Sequence, residues 1–321
     1  MACPLKVAWD QSTSASPREH SSVEAIGIAA HRAIEMLLRA HQPDAPSAWK
    51  AACAEVAAKG TDPLADPRAN RVGLRLARRY PQLVAFIDGH APQETLVEVD
   101  LATADGRVRG RADLILLGPH PAVIDIKTGV VETAEGVDER HATQVLLYGW
   151  LAKETLGFAI TEGALFSLRQ GLIPIDISPE LVELTAVKAV QAMEAFNART
   201  PGPQPATPSG SECGWCPHVA RCDAPWEALS MGSMDHIGFG FSVRGEVTAP
   251  IFASASGTAA VAMEADDGMA QGPMMVADVP MDVARPLNQG DRVALVALTV
   301  RSAEPLSLAW REGVSRIAKL G

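Results

Sequence analysis

The sequence predicts a mixed α/β domain followed by a smaller domain built from strands. Two observations support the first domain: apolar residues repeat at helical spacing in several long segments, and they alternate at strand spacing in the segments between. A third supports the second domain, because short strand-like segments follow one another from about Gly240, with glycine and aspartate turns. The chain has 321 residues, 47% hydrophobic and 21% charged, which is enough material for two domains.

The first elements are helices. An amphipathic helix is predicted from Ser21 to about Ala40, with Ser21 and Glu24 at the spacing of a capping box. An alanine-rich stretch interrupted by prolines extends to about Asp88 and is predicted to be helical in part. The apolar side of the first helix consists of Ile26, Ala30, Ile34, Leu37 and Leu38.

Three strands follow, because strand alternation replaces the helical period. The segments are ETLVEVDLA, RVRGRADLILL and AVIDIK, separated by an Asp105-Gly106 turn and by a turn from Gly118 to Pro121. Strands joined by such short turns lie antiparallel to one another. The sequence therefore predicts an antiparallel arrangement of these three strands.

The next segments complete the first domain. RHATQVLLYGWLAKETLG predicts a helix that ends at Gly157, ALFSLRQGLIPIDI predicts a pair of strands, and Pro179 to about Ala198 predicts a further helix. The proline-rich PGPQPATPSG at 201–210 predicts a linker, and a cysteine-rich segment follows it. The predicted domains are therefore residues 1–225 and 240–321.

The second domain is predicted to contain five short strands and no obvious helix: FSVRGEVTAPI, TAAVAMEADDG, MMVADVPMDVA, GDRVALVALTV and LSLAW. This pattern is compatible with a small closed barrel of the oligonucleotide-binding (OB) type. From Gly240 onward, however, the net charge is −2 and the aromatic residues are Phe241, Phe252 and Trp310. Single-strand-binding barrels combine basic grooves with aromatic platforms, so a structural or protein-binding barrel is an interpretation of at least equal weight.

Charge limits the function classes. A net charge of −10 opposes indiscriminate coating of nucleic acid, unless basic groups are concentrated locally. Such groups are Arg71, Arg75, Arg78 and Arg79 at helical spacing, and Arg107, Arg109 and Arg111 on one face of a strand. Phosphate-contacting tracks and solvated faces fit this pattern equally well. The first residues do not resemble a targeting segment and no apolar stretch could span a membrane, so we expect cytoplasmic residence without membrane contact.

Polar side chains converge on the second and third strands. In AVIDIK the isoleucines point to one face, whereas Asp125 and Lys127 point together to the other. Asp113 lies on the neighbouring strand, and two carboxylates that close need a cation between them. Oxygen ligands of this kind suit Mg²⁺ or Mn²⁺, and Lys127 could orient the attacking water. The alternative is an exposed Asp–Lys pair, which is common on antiparallel sheets.

Two helical segments favour the metal site over this alternative. Gln144 and Tyr148 lie four residues apart in QVLLYGWL and therefore on one helix face. The first helix contributes His31, although this residue alone is better explained as a core histidine with a satisfied hydrogen bond.

Taken in order, GIAAHRAIE, GRAD, VIDIK and QVLLYGWL resemble the motifs of the PD-(D/E)XK nucleases. They are most similar to the RecB-like branch, which includes CRISPR adaptation nucleases and helicase–nuclease subunits of recombination repair. The resemblance covers roughly Met1 to Asp223 and implies a restriction-endonuclease-like core with flanking helices. It implies a metal-dependent deoxyribonuclease, and it favours an exonuclease on single-stranded ends in repair, recombination, or phage and CRISPR DNA processing.

The resemblance also implies the role of each site residue. His31, Asp113, Asp125 and the backbone carbonyl of Ile126 would ligate Mg²⁺ or Mn²⁺, Lys127 would assist the attacking water, and Gln144 and Tyr148 would contact DNA. The charge pattern adds Arg75, Arg78 and Arg111 as candidate DNA contacts. The rival interpretation is a catalytically inactive DNA-binding or scaffold protein that retains the nuclease fold. The intact motif side chains argue against this rival.

Five cysteines in a reducing compartment favour metal or cluster ligation over a disulfide framework. Cys213, Cys216 and Cys222 in CGWCPHVARC need a fourth ligand to close a tetrahedral or cubane site. Cys53, in an alanine-rich helix, is most simply a core residue. Cys3 resembles the amino-terminal cysteine of iron–sulfur members of this nuclease branch, so the resemblance implies a [4Fe-4S] cluster that staples the ends of the nuclease domain.

Zinc is the alternative occupant of the cysteine site. It would be held by the three clustered cysteines with either His218 or Cys3, and the spacing alone allows both metals. The sequence specifies no oligomeric state.

Overall fold

The computed structural model describes residues 3–12, 22–39, 44–134, 136–199, 204–238, 240–254, 257–303, 306–311 and 314–320. Residues 17–198 form one unit, here called the central unit, and residues 1–16 together with 199–321 form the terminal unit. The terminal unit groups residues 4–12 and the cysteine-rich segment with the C-terminal strands. The domain bounds 1–225 and 240–321 stay a prediction.

The helices of the central unit follow the apolar periodicity of the sequence. They are α2 (Ser22–Leu38), α3 (Ala45–Ala57) and α4 (Arg68–His90), whereas α1 (Pro4–Ser12) belongs to the terminal unit. The predicted first amphipathic helix is confirmed as α2, and its residues Ile26, Ala30 and Ile34 are buried. Ser21, and with it the predicted capping box, lies outside the described residues.

A five-stranded sheet forms the middle of the central unit, in the order β1-β2-β3-β6-β7. The strands of this unit are β1 (Glu94–Ala102), β2 (Arg109–Leu117), β3 (Ala122–Lys127), β4 (Glu132–Thr133), β5 (Gly136–Val137), β6 (Glu162–Ser167) and β7 (Gly171–Ile175). The first three strands are antiparallel, as predicted, and β6 and β7 form the predicted pair. β3 and β6 are parallel, since α5 (Glu139–Leu156) crosses between them. β4 and β5 form a separate two-stranded sheet.

The two faces of the sheet pack against different helices. Ile124 and Ile126 belong to the core shared with α2, α3 and α4, whereas Val123 belongs to the core shared with α5. This alternation agrees with the pattern in AVIDIK, because the isoleucines point to one face and the polar residues of β3 point toward α5.

Asp138 and Gly157 set the ends of α5. The carboxylate of Asp138 accepts a hydrogen bond from the Arg140 N–H at 2.9 Å, which satisfies a donor of the first helical turn. Gly157 has a φ of 75°, a left-handed conformation that glycine adopts without steric penalty. The predicted helix and its end are confirmed, and the next helix, α6 (Pro179–Ala198), packs against α5 as a second predicted helix.

Five strands of the terminal unit close into a barrel. Its elements after the linker are α7 (Gly210–Trp215), α8 (Asp223–Ser230), β8 (Phe241–Val247), β9 (Phe252–Ala253), β10 (Thr258–Gly268), β11 (Gly272–Pro280), α9 (Met281–Ala284), β12 (Arg292–Ala303), β13 (Leu306–Ala309) and β14 (Arg316–Lys319). The ring runs β8-β10-β11-β13-β12 and back to β8. Neighbours are antiparallel except β11 and β13, which are parallel. These five strands correspond to the five predicted segments.

The structure corrects one prediction in this region. The segment MMVADVPMDVA is not a single strand, because β11 ends at Pro280 and α9 begins at Met281. Proline has no N–H to donate to a strand ladder, so it ends the pairing and starts the helix. The expectation of no helix after Gly240 is therefore wrong. β9 and β14 lie outside the predicted segments and add to the edges of the sheet.

Within the described part of the chain, no helix is both long enough and apolar enough to cross a bilayer.

The 23-residue helix α4 carries Arg71, Arg75, Arg78 and Arg79 along its length.

Candidate active site

Strand β3 places Asp125 and Lys127 side by side. Nζ of Lys127 lies 2.7 Å from Oδ2 of Asp125, whose side chain is only 1% exposed. No donor among the described residues makes a well-oriented hydrogen bond to that oxygen. Burial raises the pKa of Asp125 to about 6, although the charge of Lys127 acts in the opposite direction. The buried carboxylate of Asp125 thus has the Lys127 ammonium as its close charge partner.

Asp113 connects β2 to both β3 and α2. Its Oδ2 accepts a hydrogen bond from the Ile126 N–H at 2.6 Å, and its Oδ1 lies 3.0 Å from Nδ1 of His31. Burial on its own lowers the pKa of His31, but the hydrogen bond to Asp113 and the nearby charges of Asp113 and Glu98 raise it to about 10. Both carboxylates therefore face the same ring nitrogen, Nδ1.

Glu98 is the site residue that the sequence reasoning missed. Its Oε1 lies 3.8 Å from Nδ1 of His31. It falls between the register pairs Val97–Leu114 and Val99–Ala112, opposite Asp113, and its backbone has a φ of 54°. The available signal was a glutamate between two valines in LVEVD, on the strand predicted to pair with that of Asp113.

Gln144 and Tyr148 of α5 extend the network. The Lys127 ammonium donates to Oε1 of Gln144 at 2.9 Å, and the Gln144 amide donates to the Tyr148 hydroxyl at 2.8 Å. Burial raises the pKa of Tyr148 to about 12, against a smaller opposing effect of the Gln144 hydrogen bond. Gly110 of the GRAD segment leaves room for this tyrosine, because a Cβ there would lie 3.0 Å from the ring.

The donor set fits a hard divalent cation. His31, Glu98 and Asp113 can each offer one ligand atom, and these three atoms lie within 4.8 Å of one another. Asp125, also predicted as a ligand, is not in this group of three, although the charges of Asp113 and His31 act on it. Carboxylate oxygens with one imidazole suit Mg²⁺ or Mn²⁺ better than a closed structural site for zinc. The Ile126 N–H is already bound to Asp113, and the role of its carbonyl as a ligand stays a prediction.

The candidate DNA contacts lie in different surroundings. Arg78 of α4 is exposed and Arg75 is partly exposed. Arg111 of β2 is exposed but paired, since its guanidinium contacts Asp100 on β1 at 2.8 Å. β2 begins at Arg109, so Arg107 lies in the preceding turn, where it pairs with Asp105, and not on the predicted strand face. The arginines near β2 therefore fit the alternative of a solvated face better than the arginines of α4 do.

The terminal unit brings four cysteines to one pocket. Cys3, Cys213, Cys216 and Cys222 line it, and the Thr207 N–H donates to Sγ of Cys3 at 3.4 Å. Burial raises the pKa of the three clustered thiols. At Cys3 burial acts the same way, but backbone hydrogen bonds from Thr207, Lys6 and Leu5 outweigh it and lower the pKa. Cys53 is buried in α3, in the core of the central unit.

His218, the other candidate ligand of a zinc site, has hydrogen-bond partners of its own. Both ring nitrogens of His218 are already engaged, Nε2 with Asp10 and Nδ1 with Arg221, each at 2.8 Å.

A mixed sheet carries two aspartates and a lysine on adjacent strands, and helix α2 adds a histidine beside them, with an acid-rich position for a cation. This arrangement is typical of a nuclease-type hydrolase core. The family model of the PD-(D/E)XK nuclease superfamily matches residues 1–223. The chain belongs to this superfamily, which indicates a nuclease hydrolase with DNA as its substrate. Members typically use divalent metals. No curated protein matches the chain significantly.

Proposed function

We propose that the chain is a Mg²⁺- or Mn²⁺-dependent deoxyribonuclease of the RecB-like branch. We further propose that it acts as an exonuclease on single-stranded ends, in repair, recombination, or phage or CRISPR DNA processing. The observation that supports the enzymatic proposal best is the continuous chain of contacts from His31 through Asp113 and Ile126 on one side, and from Asp125 through Lys127 and Gln144 on the other.

In this proposal His31, Glu98, Asp113 and Asp125 hold the cation, with the Ile126 carbonyl as a further ligand. The bound cation supplies a Lewis acid that activates water and offsets charge at the phosphorus. His31 must release its proton to ligate, and its two carboxylate neighbours keep the ring oriented. Lys127, held by Gln144, presents positive charge beside the reacting phosphate, and Tyr148 fixes Gln144 in turn.

The test is cleavage of end-labelled linear and circular single-stranded DNA with Mn²⁺. We expect Lys127→Ala and Asp125→Asn to lower the rate about 100-fold or more, because each removes a group that acts on the reacting phosphate or its metal. Lys153→Ala, on the exposed side of α5, is the matched control and should cut like the wild type. An exonuclease needs a free end, so it should cleave the linear DNA and leave the circular DNA intact. If the wild type leaves both DNAs intact, the scaffold interpretation holds instead.

For the cysteine pocket we propose a [4Fe-4S] cluster held by Cys3, Cys213, Cys216 and Cys222. Two observations support this proposal: the four cysteines line one pocket, and His218, the other candidate ligand, is already bound to Asp10 and Arg221. When bound, the cluster cross-links α1 to the cysteine-rich segment. We expect a brown protein with stoichiometric iron and sulfide, which Cys3→Ser loses and Cys53→Ala retains. A colourless protein that releases zinc contradicts the cluster.

We propose that the C-terminal barrel is of the OB type. Its five-stranded ring and the short helix α9 between β11 and β12 support this assignment. The negative net charge of the region favours a structural or protein-binding role over binding of single-stranded DNA.

A further inference from the structure

Arg244 of strand β8 reaches from the barrel into the cysteine-rich segment. Its side chain is 9% exposed. One terminal nitrogen donates to the carbonyl oxygens of Ala220 at 2.6 Å and of Cys222 at 3.1 Å, and the other lies 3.0 Å from the carboxylate of Asp223. The guanidinium also stacks over Trp226 at 4.5 Å. Burying an arginine is costly unless its donors are paired. Both terminal nitrogens of Arg244 are paired, mainly with the backbone around Cys222, whereas its buried Nε has no hydrogen-bond partner among the described residues.

Arg316 of strand β14 makes a second contact of this kind. Its terminal nitrogen donates to the carbonyl oxygen of Cys216 at 3.4 Å. Two different strands of the C-terminal region thus hold the backbone at two of the four cysteines.

An apolar core joins the same parts of the chain. Val219 and Trp226 of the cysteine-rich region pack with Ala294, Val296 and Ala297 of β12, and Cys213 and Cys216 lie at the edge of this cluster. The indole N–H of Trp226 donates to the Val219 carbonyl at 2.9 Å. The barrel wall is therefore part of the packing that shapes the cysteine loop.

The backbone approach is equally close. A Cβ on Gly214, next to Cys213, would lie 2.1 Å from Cα of Gly238, in the segment that leads into β8. The Gly238 N–H donates to the Gly210 carbonyl at 2.7 Å. Neither glycine has room for a side chain, so α7 rests directly on the entry to the barrel.

We propose that the barrel builds one side of the cysteine centre, with Arg244 and Arg316 as positioning residues for the backbone of Cys222 and Cys216. This inference rests on the proposed function only in assuming that the four cysteines hold a metal cofactor. The barrel is then needed to retain the cofactor, and is not merely appended to a nuclease.

The test compares full-length Arg244→Gln and Arg316→Gln with Arg301→Gln. Arg301 lies on β12, is exposed, and pairs with Asp278, so it is a matched arginine outside the cysteine contacts. Release of metal to a chelator is followed by absorbance, and metal and sulfide are counted per chain. We expect release from the two variants to be about 10-fold faster or more, the size of effect typical of groups that orient metal ligands. Equal rates in all three variants and the wild type overturn the proposal.

A second readout separates this inference from the cofactor proposal. In metal-free protein, alkylation of Cys216 and Cys222 by iodoacetamide, read by peptide mass spectrometry, should be faster in the arginine variants than in Arg301→Gln. Arg244→Lys and Arg316→Lys keep a buried positive charge and so test whether the barrel simply fails to fold. Their alkylation rates should be intermediate, because one ammonium cannot bridge the same carbonyls. If the wild type contains no metal, the cofactor proposal fails. If alkylation rates also do not differ, the positioning role fails as well.

Discussion

Asp125 is the residue at which stability and function conflict. Its side chain is 1% exposed, and one of its oxygens has no well-oriented hydrogen bond within the described part of the chain. A buried carboxylate is unfavourable unless it is fully paired, and the raised pKa of about 6 expresses that cost. Active sites commonly retain such groups because the chemistry needs them.

We therefore expect Asp125→Asn to stabilise the metal-free protein at neutral pH, while it lowers the cleavage rate about 100-fold or more. The folded-state pKa of about 6 lies above the ordinary value, so the folded state binds the proton more tightly. Wild-type stability falls as pH rises from about 4 to that pKa, and an asparagine does not titrate.

The gain at pH 7 should be on the order of 1–3 kcal/mol, and it should vanish at about pH 4 and below. Urea unfolding in EDTA between pH 4 and 8 measures it, with the exposed Asp176→Asn as control. A gain that does not change with pH contradicts the expectation.

Glu98 shows a second kind of local cost. A glutamate with a φ of 54° occupies a left-handed conformation that costs on the order of 1 kcal/mol outside glycine. That conformation accompanies a carboxylate 3.8 Å from His31, so the strain coincides with a candidate ligand.

Glu98→Gln should weaken Mn²⁺ binding about 10-fold or more, because a neutral amide replaces an ionised oxygen ligand. Isothermal titration of the DNA-free protein with Mn²⁺ measures this. Glu94→Gln, at the exposed start of β1, is the control on the same strand. Equal affinities for the two variants would remove Glu98 from the site.

At the scale of elements, α4 carries the most concentrated positive charge in the central unit. Burial, and then the charges of Arg169 and Arg71, lower the pKa of Arg75. Among the described residues, no carboxylate forms an ion pair with Arg71, Arg75, Arg78 or Arg169, whereas Arg111 is paired with Asp100. Like charges held together without acidic partners attract phosphate, so α4 is the stronger candidate for the DNA track.

Arg75→Gln and Arg78→Gln should each lower affinity for single-stranded DNA and flatten its salt dependence. Loss of one phosphate contact reduces the slope of log K against log salt by about 0.7. Fluorescence anisotropy at several salt concentrations, with EDTA to prevent cleavage, gives the slope. Arg111→Gln should change it less, because Asp100 already neutralises that side chain. Lys59→Gln, just after the end of α3, is the control. If Arg111→Gln lowers the slope more than the two α4 variants do, the DNA contacts lie on the face of β2 instead.

At the scale of the whole molecule, the family match and the packing divide the chain differently. The superfamily match ends at residue 223, whereas the cysteine-rich segment before that point belongs to the terminal unit with the barrel. The cysteine pocket and the candidate active site thus lie in different units, because His31 through Tyr148 belong to residues 17–198. Loss of the cofactor should therefore act first on the terminal unit.

Cys213→Ser should lower the unfolding temperature of the terminal unit and leave detectable cleavage. The lost ligand removes a cross-link between distant parts of the chain, and such links stabilise by restricting the unfolded state. Scanning calorimetry of the full chain should show one transition shifted by several degrees and the other unchanged. Cys53→Ala is the control that retains the cofactor. Immediate loss of all cleavage in Cys213→Ser would show that the cysteine centre supports the chemistry directly.

Local patterns specified much of this protein. The strands ETLVEVDLA and AVIDIK have the predicted bounds, and Gly157 ends its helix, because alternation and turn residues act over a few neighbouring positions. The pairing of Asp125 with Lys127 follows from the same two-residue period. The end of β11 at Pro280 could have been predicted from the sequence, because proline has no N–H for the strand ladder. The edge strands β9 and β14 are only a few residues long, so their alternation is too short to predict them.

The sequence by itself determined the elements, the order of the motifs and the side chains available for chemistry. Only the tertiary structure decided that Glu98 faces His31, that Arg111 is neutralised by Asp100, and that Arg244 holds the backbone at Cys222. Each of these contacts depends on the register between strands or on packing between segments distant in sequence. Periodicity determines which face a residue occupies, but the partner it meets is set by the fold as a whole.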